Sequence, residues 1–231
     1  MNRHIRNGML RSASLALLLE IGSLAAHADD FFSSQSAWAS ALSGAPTTIN
    51  FEGLAPNNTT DPQTYIGSGP GANTTVGGVN FAIGAAGADN GMFIAGDGNY
   101  APVSVLTVGS TSLVGSPSDL LITLPSAVTA LGFDFFSLYV GDTATITLSD
   151  GSVQTLVLPN SDLAFFGVTA PGGLTSVDIS LAPGTYDLAE TDFSYGTAAT
   201  SATPEPSSLL LLGSGLVGLA GMVRRKFGQR A

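Results

Sequence analysis

The sequence between Asp29 and Thr203 predicts an all-β fold, a sandwich or barrel of antiparallel strands. Three observations carry this. Short runs rich in Val, Ile, Thr and Phe recur there, separated by Gly, Pro, Asn or Asp, and helical periodicity disappears after Leu42. The third is Asp150-Gly151, a favoured pair for a two-residue hairpin turn because both central positions need positive φ.

Phe32 to Leu42 contains Ala, Ser and Gln, with Trp38 and Leu42 four residues apart, which suits a short helix packing one face. Strands are expected at Thr47–Glu52, Val76–Ile83, Leu120–Leu124, Val128–Phe136, Thr143–Leu148, Val153–Leu158, Leu163–Val168, Leu174–Leu181 and Tyr186–Tyr195. In the Asp150-Gly151 hairpin, a two-residue turn makes Leu148 face Val153, Ile146 face Thr155 and Ala144 face Val157. Phe133 and Phe135 point one way, Asp134 and Phe136 the other. The stretch Ala55 to Gly98 reads as a long irregular insert, in which only Val79, Phe81 and Ile83 alternate clearly. Within and beside it, Asp89-Asn90-Gly91 and Asp97-Gly98-Asn99 are oxygen-rich, as calcium loops are, though turn chemistry explains them equally well.

Charge is distributed unusually. All seven Lys and Arg lie at 3, 6, 11, 224, 225, 226 and 230, both histidines at 4 and 27, and there is no cysteine. Of seventeen acids only Glu20 and Glu205 lie outside Asp29 to Thr203, so that segment carries fifteen acids and no base. Nucleic acid is excluded as a direct partner, because no cation is present to replace phosphate counterions. Disulfides cannot staple the fold, so a hydrophobic core must suffice. Ser-His-Asp, Cys-His and zinc-hydrolase chemistry lack their bases and ligands. Only a carboxylate pair of glycosidase type remains chemically available. Carboxylates without protein counter-ions must disperse or share a bound cation, and calcium is the natural choice for hard oxygen ligands.

The two ends read as addresses. Arg3, His4, Arg6 and Arg11 precede the apolar run Ala13 to Leu24, and Ala26-His27-Ala28 has the small-x-small form of a signal-peptidase site. Residues 1–28 are therefore expected to be a signal peptide and 29–197 the exported domain. After a linker at 198–203, Pro204-Glu205-Pro206 breaks the chain, Leu209 to Val223 is uncharged, and Arg224-Arg225-Lys226 supplies a cytoplasmic stop. Fifteen helical residues span only about 22 Å, short for a hydrocarbon core of about 30 Å. The helix at 209–223 thus suits a transient membrane span.

Pro204-Glu205-Pro206, the glycine-spaced apolar helix and the basic cluster, in that order, resemble the PEP-CTERM sorting signal of Gram-negative bacteria. The resemblance implies processing by an exosortase-type membrane protease, an inner-membrane intermediate and a destination at the cell surface or in an extracellular polysaccharide matrix. A second set resembles the jelly-roll ectodomain of such proteins: Ile49-Asn50-Phe51-Glu52-Gly53, Gly77-Gly78-Val79-Asn80-Phe81, Gly132-Phe133-Asp134-Phe135, Ser149-Asp150-Gly151-Ser152, Phe165-Phe166-Gly167-Val168 and Asp192-Phe193-Ser194-Tyr195-Gly196. It implies a jelly-roll-like β-sandwich similar to carbohydrate-binding modules, in which acids on the first and last strands share a structural calcium. Glu52 matches the first. On the last strand Thr191 stands where that pattern has an acid, and Asp192 is shifted by one. Alternation puts Glu190 and Asp192 opposite Phe193, so either reaches a cation only if the strand ends or bulges there.

The leading expectation is a non-catalytic structural or adhesive domain. The alternative is a carbohydrate-binding module, for which Tyr65, Tyr100, Tyr139 and Tyr186 are candidate stacking platforms. A carboxylate-pair glycosidase is the third.

Overall fold

The computed structural model describes residues 29–55, 63–96, 103–110, 117–137, 142–158, 163–182, 187–200 and 213–216. The chain divides after Ala198, and the β-domain is described first. Its elements are β1 (Asp30–Phe32), helix α1 (Gln35–Ser40), β2 (Thr47–Ile49), β3 (Gln63–Ser68), β4 (Asn73–Val76), β5 (Val79–Ile83), β6 (Asn90–Ala95), β7 (Val105–Ser110), β8 (Asp119–Ser137), β9 (Thr143–Leu148), β10 (Val153–Val157), β11 (Ala164–Leu181) and β12 (Asp187–Gly196). The all-β expectation holds, and every observed strand pairing is antiparallel.

Two long strands organise the sheets. β8 and β11 pair along both halves, with register shifts between Thr169 and Ser176. Residues 119–123 of β8 and 176–180 of β11 lie in one half-sheet, ordered β4-β5-β8-β11-β9-β10. Residues 130–135 and 164–169 lie in the other, ordered β1-β11-β8-β12-β7-β6-β3, with β2 on the end of β12. The sequence suggests two strands in each place, because Pro125 and Pro171-Gly172-Gly173 look like breaks. They are corners instead. A strand that changes sheets bends and slips register there, and those are positions where proline and glycine are tolerated.

The inner faces enclose one core. Phe81 of β5 meets Phe193 of β12 edge-on at 5.9 Å between ring centroids, and Phe133 packs on Phe193 and Phe166 at 6.1 and 5.3 Å. Phe51 closes the cluster against Phe81 at 5.3 Å. Phe133 and Phe135 lie in this core while Phe136 joins a smaller cluster with Ala95, Val105 and Ala189, as alternation requires.

Three expectations are corrected. The segment Ala55 to Gly98 is not an irregular insert, since β3, β4, β5 and β6 form within it; Gly77-Gly78, both with positive φ, turn β4 into β5. β7 and β1 also went unanticipated, β1 being only three residues long. Finally, the Asp150-Gly151 hairpin pairs Thr147 with Val153 and Ile146 with Gln154, one residue away from the expected register. The turn holds three residues, with Gly151 N donating to Leu148 O, Gly151 at φ 93° and Ser152 N donating to the Asp150 carboxylate. A glycine in that conformation forms a bulge after a type I turn. The slip reverses β10, so Val153 and Val157 are exposed at 53% and 72%.

The short helix forms as expected and buries Trp38. Its indole lies over Gly132 and Gly167, which are directly paired in β8 and β11, and donates to Val168 O at 3.2 Å. A Cβ at Gly167 would fall 2.8 Å from the indole and 2.7 Å from Phe165. Gly167→Ala is therefore expected to destabilise the domain by about 1–3 kcal/mol through overpacking. Emission from Trp38, the chain's one tryptophan, should shift red in the variant; unchanged emission and melting temperature would count against this packing.

In the C-terminal unit residues 213–216 are helical, inside the expected 209–223 span. Among the described residues no helix is long and apolar enough to cross a membrane. The expected signal peptide at 1–28, Pro204-Glu205-Pro206 and Arg224-Arg225-Lys226 lie outside the described residues.

Candidate functional site

Four acids, Glu52, Asp134, Glu190 and Asp192, gather at one irregularity. Thr191 of β12 is opposite Asp134 of β8, yet Ser194 is opposite Gly132, so β12 carries an extra residue between them. Asp192 occupies this bulge at φ 50°, the one described non-glycine residue with positive φ. Asp tolerates that conformation better than most side chains. The bulge answers the condition that alternation set, with an unexpected result for Glu190. Expected on the face away from Phe193, Glu190 instead sits opposite Phe135 and Leu106, both core residues. The extra residue has reversed the strand's alternation.

Glu52 follows the end of β2, in the gap where β2 and β7 succeed one another along β12. Its carboxylate accepts from Ser104 N at 3.2 Å, and Ser104 O accepts from the Thr191 hydroxyl at 3.1 Å. Glu52 thus lies near enough to Asp192 for its charge to act there. Burial raises the Asp192 pKa, and the neighbouring Glu52 charge raises it further. Asp134, half-buried on the outer side, is pushed up to about 6 by burial and by Asp192.

Glu190 is fully buried and neither carboxylate oxygen has a hydrogen-bond partner among the described residues. Burial drives its pKa well up, and Asp192 and Asp134 add to the shift. The arrangement is all oxygen donors, suited to a hard cation, although no three acid, His or Cys side chains among the described residues form a ready metal-holding group. Of the two oxygen-rich stretches, Asp89-Asn90-Gly91 opens β6, with Asn90 Oδ1 accepting from Asp119 N at 2.9 Å. Asp97-Gly98-Asn99 lies outside the described residues.

Two surfaces bear on ligand binding. Tyr65 on β3 is 65% exposed, whereas Tyr100, Tyr139 and Tyr186 lie outside the described residues. A shallow groove of about 420 Å³ carries the hydroxyls of Ser43, Thr47, Ser126, Thr129, Tyr195 and Thr197 and no charged side chain. Sequence reasoning did not single out Tyr195, because an aromatic in a strand reads as core. It packs partly against the core while lining the groove.

Comparison with known proteins settles the tail. Residues 202–226 match the PEP-CTERM protein-sorting motif. The chain carries a PEP-CTERM sorting signal. That signal marks it as an exported protein handled by the exosortase system at the membrane. No curated protein matches the chain. Among solved structures, a variant of a family 29 carbohydrate-binding module is 13% identical, with a TM-score of 0.34, covering 59% of this chain and 94% of its own. The K2 cleaved adhesin domain of Lys-gingipain is 12% identical at TM-score 0.39, covering 65% and 99%. A family 11 carbohydrate-binding module from a Clostridium thermocellum cellulosomal cellulase is 10% identical at TM-score 0.33, covering 69% and 100%. Likeness this distant assigns no ligand.

The raised Glu190 pKa has a directional consequence. An acid whose folded pKa exceeds its unfolded value supports folding below the unfolded value and ceases to as pH climbs through the folded one. In EDTA, melting temperature should therefore fall as pH rises above about 4.5, the ordinary Glu value. Glu190→Gln should melt at least ~3 °C above the parent at pH 8. A variant less stable than the parent at that pH would show that the buried carboxylate is satisfied.

Proposed function

We propose that the PEP-CTERM protein is delivered to the cell surface or extracellular polysaccharide matrix of a Gram-negative bacterium, where its β-sandwich is a non-catalytic structural and adhesive module. The observation that carries this reading is the sorting motif at 202–226 on a domain with no Lys, Arg, His or Cys between 29 and 203. Acyl transfer, zinc hydrolysis and phosphoryl transfer all need a side chain the domain lacks. Signal peptidase removes residues 1–28, the 209–223 helix holds the chain transiently in the inner membrane, and an exosortase-type protease acts at Pro204-Glu205-Pro206. Arg224-Arg225-Lys226 keep the end cytoplasmic until then. Glu52 and Asp192 hold a structural calcium, which supplies the positive charge that no side chain nearby provides.

A second reading is carbohydrate binding. The hydroxyl-lined, uncharged groove beside Tyr195 favours it, because neutral sugars offer the complementary hydroxyls and apolar faces. The exposed ring of Tyr65 offers another stacking surface.

Alanine replacement of Pro204-Glu205-Pro206 should leave the protein unprocessed in the inner membrane, as intact mass and fractionation will show. Normal size at the normal location would sink the sorting assignment. Pull-down on neutral polysaccharides separates the two readings of the domain: saturable binding lost in Tyr195→Ala favours the module, and no saturable binding favours the structural role.

A further inference from the structure

A second pair of acids lies away from the β12 bulge, in the other half-sheet. Asp119 of β8 is opposite Ser180 of β11, and Asp178 is opposite Leu121. The two aspartates are diagonal neighbours on one face, within reach of one another. Leu120, Ile122, Val177 and Ile179 between them are core residues, so both carboxyl groups project from the outer side of the sheet. There they lie close enough for the Asp119 carboxyl to act on that of Asp178.

Asp119 is held in place by the segment 84–90, which joins β5 in one half-sheet to β6 in the other. Gly84 N donates to Asp119 O at 3.0 Å, Ala86 N to Asp119 Oδ2 at 2.7 Å, and Asp119 N to Asn90 Oδ1 at 2.9 Å. A Cβ on Gly84 would fall 2.4 to 2.7 Å from the carboxylate atoms, so the segment closes over Asp119 only because Gly84 has none. One carboxylate oxygen is thereby committed. The other, Oδ1, belongs to a residue only 2% exposed and has no hydrogen-bond partner among the described residues. Asp178 Oδ1 is likewise buried and unpartnered, while the residue as a whole is half-buried and opens to water.

Two carboxylates in contact cannot both stay ionised unless a positive charge lies between them. No Lys, Arg or His exists from 29 to 203 to supply it. We propose that Asp119 and Asp178 form a binding site for a divalent cation, calcium, which ties the 84–90 crossover to the two long strands. Asp119 Oδ1 is the pre-positioned floor of the site and Asp178 its solvent-side wall. Water and main-chain carbonyls complete the six to eight oxygen positions that calcium takes. Burial and the neighbouring Asp119 raise the Asp178 pKa to about 7, as expected where a carboxylate lacks a positive partner. The titratable group facing Asp178 is Asp119; on the β9 side it is opposite Thr147.

This site is independent of Glu52 and Asp192, which allows a clean test. Calorimetric titration of the full-length protein in detergent with calcium chloride should show one site fewer per chain in Asp178→Asn than in the parent, with affinity in the range of extracellular modules, about 0.1–1 mM. Glu52→Gln should retain it. A measurement on the parent alone guards against misfolding of the variant: calcium should shift the Asp178 carboxyl resonance, and EDTA should restore it. If Asp178→Asn binds as many calcium ions as the parent, or calcium leaves the Asp178 resonance unmoved, the site is overturned.

Discussion

The pairing of β8 with β11 is the constraint on which the β-domain depends. These two strands are hydrogen-bonded to one another in both half-sheets, so each half inherits its position from the same ladder. Every other strand attaches directly or through neighbours to this pair. The corner at Pro125 and Pro171-Gly172-Gly173 brings the two inner faces together, and Phe81, Phe133, Phe166 and Phe193 fill the space between them. With no disulfide available, this burial is what opposes the entropy of the chain.

The second constraint is electrostatic. A domain of fifteen acids and no bases cannot neutralise a carboxylate with a side chain. Where backbone geometry forces acids together, at the β12 bulge and beside Asp119, the protonated forms of Asp134, Glu190, Asp192 and Asp178 are favoured. Protons or metal ions from the surroundings must then supply what the chain lacks. Such a domain is made responsive to its medium, which suits an exported protein.

The bulge and the hairpin teach the same lesson about register. In both, a single added residue turned a strand over: Glu190 went from the outer face to the core, and Val153 and Val157 from the core to solvent. Strand side chains alternate with a period of two, so an error of one residue exchanges the faces completely. Asp150-Gly151 correctly located a turn, but the dipeptide suits both a two-residue loop and the end of a three-residue one. For Asp192, nothing local distinguishes a bulged residue from a regular one. Its positive φ is tolerated by Asp and imposed by β2 and β8 on either side.

The sorting signal, the all-β class, the core assignment of Phe133 and Phe135 and the exclusion of base-dependent chemistry were legible in the residues alone, because they follow from order, composition and local periodicity. The joining of four apparent strands into β8 and β11, the Trp38 seat on Gly132 and Gly167, and the meeting of Glu52 with Asp192 and of Asp119 with Asp178 were decided only by the tertiary structure. Each of these depends on which residue lies opposite which across strands far apart in sequence, and short-range pattern carries no information about that distance.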